Sequence, residues 1–187
     1  MEKKKFFTTR NICIIGVMTA LVFVMTFLGI DIPTIIGKCK IHFGNIMCLL
    51  SSLLFGPWIG GLAAGFGSAL YDLQDPAWAP EFWVTFINKF TMSFVAGLIM
   101  HKVRTGKPAV RVWFAGIGGI LAYCVLYAVK NIFYSGMVLY GLTFDLAVMT
   151  FLTTKLPVTL INGVIAVICA GALTLALQPA LKKARLL

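Results

Sequence analysis

The sequence predicts an all-α membrane protein, a compact bundle of six transmembrane helices with its N- and C-termini in the cytoplasm. Three observations carry that prediction. Of 187 residues, 60% are apolar and only 12% charged, against about 25% charged in a soluble domain. The apolar residues lie in continuous runs, several of them near the ~20 residues that a helix needs to cross the hydrocarbon core. They do not alternate as barrel strands do. The charges are sorted by sign along the chain.

The first run, residues 11–30, follows Lys3, Lys4, Lys5 and Arg10. It is too long for a cleaved signal peptide, and no small-x-small cleavage site precedes a soluble body. Runs 41–55 and 58–71 are short and separated by Gly56-Pro57, so they read either as one broken hairpin or as two tilted helices. Runs 82–100, 112–134 and 157–177 complete the set. Lys102, Arg104, Lys107 and Arg111 fill the connection between the fourth and fifth runs, and Lys182, Lys183 and Arg185 follow the sixth. With six spans all three basic segments fall on one side, which the positive-inside rule makes cytoplasmic. Asp31, Asp72, Asp75, Glu81 and Asp145 fall toward the other side, and Glu2 is the exception among the acids. Residues 1–187 therefore read as a single transmembrane domain, with a basic cytoplasmic N-terminus (1–10) and a basic cytoplasmic tail (178–187). A net charge of +10 could suit nucleic acid, but its confinement to helix ends points to membrane lipid, and no nucleic-acid partner is expected. The five cysteines, at 13, 39, 48, 124 and 169, show no metal-type spacing. No metal and no cofactor are expected.

Polar residues inside the apolar runs carry the functional reading. Lys89 sits in mid-run with Thr85 and Asn88 at helical spacing. A lysine at bilayer depth costs several kcal/mol unless it is paired, hydrated or reached by a ligand, so such residues face the bundle interior. A pair with Glu81 or Asp72 is the alternative to ligand contact. In the fifth run Tyr123, Tyr127, Lys130, Asn131 and Tyr134 share a sector of roughly 100°. That stripe lines a cavity or, in the alternative, forms an interfacial belt. Lys155, Thr159 and Asn162 share a face of the sixth run; Lys155 either reaches the ligand or anchors the interface. His42 and Asn45 open the second run, just below a loop at 31–40 that contains Pro33, Gly37 and Cys39. Residues 74–81, with Trp78, and 135–154 read as further outer loops. Gly61, Gly65 and Ser68, flanked by Gly60 and Gly67, read as close helix packing. Gly16 and Ala20 form a small-xxx-small step that suits either intramolecular packing or the docking of another membrane helix.

These residues resemble the substrate-binding S components of energy-coupling factor (ECF) transporters, the bacterial vitamin importers. KIHFGNIMCLLSSLLFGPWIGGLAAGFGSALYDL, 40–73, is similar to that family's second and third helices. FINKFTMSFVAGLI, 86–99, resembles its lysine-bearing fourth helix, and KLPVTLINGVIAVI, 155–168, its proline-led sixth. The closest subgroup is the riboflavin type, which also holds members for other vitamins. The resemblance implies a site open to the exterior, built from the fourth to sixth helices and the outer loops, with Lys89, Asn88, Thr85, Tyr123, Tyr127, Lys130, Asn131, Tyr134, Lys155, Thr159, Asn162, His42, Asn45 and Trp78 as its substrate-binding residues. It implies that Gly16 and Ala20, with Gly in place of the usual first Ala, dock a transmembrane coupling subunit. Two cytoplasmic ATPases would do the ATP-driven work, since this chain has no nucleotide motif and is not expected to be an enzyme. The expected product is a multi-pass protein of the bacterial plasma membrane that captures a water-soluble vitamin or precursor. Riboflavin suits the aromatic residues, and an anionic vitamin such as pantothenate suits the lysines. The alternative is a stand-alone ion-coupled secondary transporter of a small polar or anionic solute, a class that is normally larger and built from repeats.

Overall fold

A computed structural model describes residues 7–34, 38–103 and 107–184. The expectations placed on Glu2, Lys3, Lys4, Lys5, Gly37, Arg104 and Arg185 lie outside these. The elements run α1 (Thr9–Phe27), β1 (Gly29–Pro33), β2 (Lys38–His42), α2 (Gly44–Phe55), α3 (Pro57–Gln74), a 3-10 turn (Ala79–Glu81), α4 (Phe82–Lys102), α5 (Pro108–Val129) continued by a π-helix (Lys130–Leu139), α6 (Phe144–Thr150), a π turn (Phe151–Lys155) and α7 (Leu156–Lys183). The protein is an all-α membrane protein with one short two-stranded ribbon.

Among the described residues four helical stretches are long and apolar enough to cross a bilayer: Thr9–Phe27, Ala79–Lys102, Pro108–Leu139 and Phe144–Lys183. The expected second and third spans fall short of that standard. α2 has 12 residues and α3 has 18, about 18 and 27 Å at 1.5 Å per residue, and α3 is diluted by glycine. They are separate helices rather than one. Gly56, at φ 94°, takes a conformation that costs a side-chain-bearing residue, and Pro57 starts α3 where its missing N–H is not needed.

Two expected loops are regular structure. Residues 31–33 and 38–40 contribute to an antiparallel ribbon with register Ile30 to Ile41 and Ile32 to Cys39, and β2 takes Ile41 and His42 out of the expected second span. Most of 135–154 is helical, because α5 does not stop at Tyr134 but widens into the π-helix. α6 and the π turn then lead directly into α7.

The core is built on closeness. Leu49, Leu53, Met92, Val22 and Val112 are fully buried, and small residues let their helices approach. A Cβ on Gly60 would lie 2.3 Å from Ser52 Cα, and one on Gly67 would lie 2.7 Å from the Thr19 carbonyl oxygen. α3 thus sits against α2 and α1 at backbone distance. Phe90 and Phe86 cover Gly61 and Gly65. Gly60→Ala is expected to force α2 and α3 apart and to cost about 1–3 kcal/mol, read as a lowered thermal midpoint of the purified protein. An unchanged midpoint would mean that the two helices are not this close.

Candidate functional site

The helices alternate in direction, so the end of α1, the ends of α3 and α5 and the start of α4 and α7 meet at one end of the bundle. The ribbon and the 75–81 connection lie there too. Between them is a cavity of about 630 Å³ when the open space at its mouth is included.

α4 supplies Lys89 and Thr85, one turn apart on the same face. Lys89 is only 5% exposed. Its ammonium donates to Asn45 Oδ1 and lies 4.2 Å from the centroid of the Tyr123 ring. Among the described residues no carboxylate lies within salt-bridge distance of it. The alternative pairing of Lys89 with Glu81 is therefore not the arrangement found. Glu81 instead meets Lys130 at 2.5 Å and accepts from the Ser135 hydroxyl. Asp72, at the end of α3, faces the Thr85 hydroxyl.

α5 supplies Tyr123 and Tyr127, stacked with centroids 5.2 Å apart, and Lys130 at the end of the same stripe. The stripe breaks there. In the π-helix the hydrogen bond runs i to i+5, so the 100° step that aligned Asn131 and Tyr134 no longer holds. Asn131 donates to the Tyr127 carbonyl and borders a smaller neighbouring cavity. Tyr134 reaches the Pro80 carbonyl at 3.2 Å and packs edge-on against Trp83, away from the main cavity.

α7 supplies Thr159 and Asn162. The Asn162 side chain spans β2: its Nδ2 donates to the Lys40 carbonyl at 2.8 Å and its Oδ1 accepts from the His42 N–H at 3.1 Å. It holds the cavity wall together. Lys155 lies on the far side of Trp78, in the smaller cavity, and donates to the Lys38 carbonyl at 3.1 Å. Asn88 and Asn45 are buried but not on the cavity wall; Asn45 acts from behind, through Lys89. His42 is on the wall, and its Nδ1 accepts from the Gly44 N–H at 3.1 Å, which leaves the ring's proton on Nε2. Trp78 separates the two cavities, and its indole N–H is buried with no partner among the described residues.

Several wall residues were not singled out for the site by the sequence. Lys40 donates to the Tyr71 hydroxyl at 2.6 Å and pairs with Asp31 at 3.7 Å. Cys39, Thr26, Ser68 and Asp72 complete the polar lining. The ribbon is tied to the 75–81 connection by Lys38 and Asp75 at 2.6 Å. This contact raises the Lys38 pKa against the opposing effect of burial. At Asp75 burial acts upward, but the bonds from Lys38 and the Ala77 N–H prevail and the carboxyl is held below its ordinary value.

The comparisons with known proteins agree with this architecture. The family described as "ECF-type riboflavin transporter, S component" matches residues 6–179. An "Uncharacterized protein in gap 3'region" of Pyrococcus woesei is 40% identical over 101 residues, 53% of this chain and 66% of that protein, so the chain spans just under two thirds of that relative. The family match runs through nearly the whole chain and, with the four long apolar helices, supports a multi-pass membrane protein. The chain belongs to the ECF-type riboflavin transporter S component family.

Proposed function

We propose that the cavity at the ribbon end captures a riboflavin-like vitamin from outside the cell, and that the chain delivers it across the plasma membrane together with a transmembrane coupling subunit and two cytoplasmic ATPases. The observation that carries the reading is a buried ammonium, Lys89, that faces a cavity with aromatic walls and has no carboxylate within salt-bridge distance among the described residues, Asp72 being on the same wall without pairing to it. Such a group is costly in an apolar bundle and is relieved by an electron-rich ligand. Tyr123, Tyr127 and Trp78 offer faces for a flat ring. The unpartnered Trp78 N–H and Lys89 are donors for ring carbonyls, and Asp72 is an acceptor for a ring N–H. In this reading Thr85, Lys130, Thr159 and His42 touch the ligand, while Asn45, Asn162 and Lys155 hold Lys89 and the ribbon in position.

A carboxylate vitamin such as pantothenate is the second reading, favoured by the same lack of a salt-bridged acid at Lys89 among the described residues. Mass spectrometry of the small molecule retained by the purified chain decides between them. A flavin supports the first reading, a carboxylate the second, and uptake by the chain alone in liposomes under an ion gradient would replace both with a secondary carrier.

The basic ends of the chain lie in the cytoplasm in this reading, by the positive-inside rule. α1 then offers the docking face. Gly16 and Ala20 are exposed, and a Cβ at Gly16 would meet nothing within 4 Å, so the step faces away from the bundle. Gly16→Leu with Ala20→Leu is expected to leave vitamin affinity unchanged and to abolish ATP-dependent uptake. Loss of binding in that variant would assign the step to internal packing.

A further inference from the structure

The opposite end of the bundle holds a second cavity, of about 1160 Å³ counted to its mouth. Four elements bring cationic or protonatable groups to it: Arg10 from the first turn of α1, His101 from the last turn of α4, Arg111 from the first turn of α5 and Lys182 from the last turn of α7. No acidic residue is on its wall among the described residues. The rest of the wall is largely apolar, with Leu54, Phe55 and Ile59 from the junction of α2 and α3. Arg111 is its anchor. One Nη donates to the Val103 carbonyl at 2.8 Å, while Nε is buried and has no partner among the described residues. A buried donor on a charged group is expensive to leave unsatisfied, and a guanidinium fork fits a phosphate oxygen pair.

We propose that this cavity binds a phosphate group, and that its source is the headgroup of an anionic phospholipid. The cations would hold the phosphate, and the apolar wall would take the first part of an acyl chain. The cavity lies where membrane-spanning helices end, which is the level of the headgroups, and basic pockets between such helices are a general form of anionic-lipid site. The site is separate from the vitamin cavity: it uses opposite ends of the helices and shares no wall residue with it.

The test uses the full chain purified in detergent. Phosphatidylglycerol and phosphatidylcholine with identical acyl chains are titrated in, and bound lipid is counted by native mass spectrometry. Phosphatidylglycerol is expected to bind at about tenfold lower concentration, the effect of roughly one net charge-assisted hydrogen bond. Arg111→Gln and Lys182→Gln should each reduce that preference severalfold and leave vitamin affinity intact. A thermal shift with inorganic phosphate but no preference between the lipids would assign the site to the free ion and overturn the lipid source. Equal binding of both lipids with no phosphate shift overturns the site. So does a folded Arg111→Gln chain that keeps the full preference; if that variant does not fold, Lys182→Gln decides in the same way. Failure of the vitamin reading would leave the lipid and phosphate outcomes untouched.

Discussion

Replacing Lys89 by alanine is expected to weaken vitamin binding by about 10- to 100-fold, the loss of one hydrogen bond to a charged group, roughly 1.5–3 kcal/mol. The side chain is held from behind by Asn45 and lies over the face of Tyr123, so its ammonium is positioned before a ligand arrives, and little ordering cost offsets the bond it makes. The variant also removes a charge from an apolar environment, so its thermal midpoint should hold or rise while affinity falls. That opposition separates a binding role from a structural one. Calorimetric titration of the identified vitamin against both proteins measures it, and equal affinities would take Lys89 out of the site. Asn45→Leu should reproduce part of the loss without touching the cavity wall.

Glu81→Ala is expected to be the most destabilising of the single changes. It leaves Lys130, whose side chain is 3% exposed, with a charge and no counterion, and breaking a buried pair from one side costs about 3–5 kcal/mol. The Ser135 hydroxyl loses its acceptor as well. The double variant Glu81→Gln with Lys130→Met should recover most of the stability, since neither group then carries a buried charge. Thermal unfolding of the purified proteins reads both. A single variant within about 1 kcal/mol of the original protein would show that the pair is not formed in solution.

Helical spacing alone places much of the cavity wall. Thr85 with Lys89, Tyr123 with Tyr127 and Lys130, and Thr159 with Asn162 each recur at three or four residues, and each group reaches the same cavity. Spacing fails where the helix changes kind, as at Asn131 and Tyr134 beyond the start of the π-helix. The wall residues of the ribbon and of α3 were harder to read. Lys40 and Cys39 lie in a stretch rich in loop residues, although the alternation in Lys38-Cys39-Lys40-Ile41 carries a period-two signal. Tyr71 and Ser68 sit on a helix whose glycines speak more loudly for packing than its few polar groups do for a site. The roles of Asn45 and Asn162 depend on partners 44 and 120 residues away in sequence, a distance across which no local pattern reports.

The Asn162 side chain presents its amide to β2 much as the backbone of a neighbouring strand would, taking up the Lys40 C=O and the His42 N–H. A two-stranded sheet otherwise leaves such a row of groups free to zip onto another polypeptide. Here one helical residue caps that border, so a second molecule has no template on that side, and the ribbon stays sheet-like without inviting self-association through it.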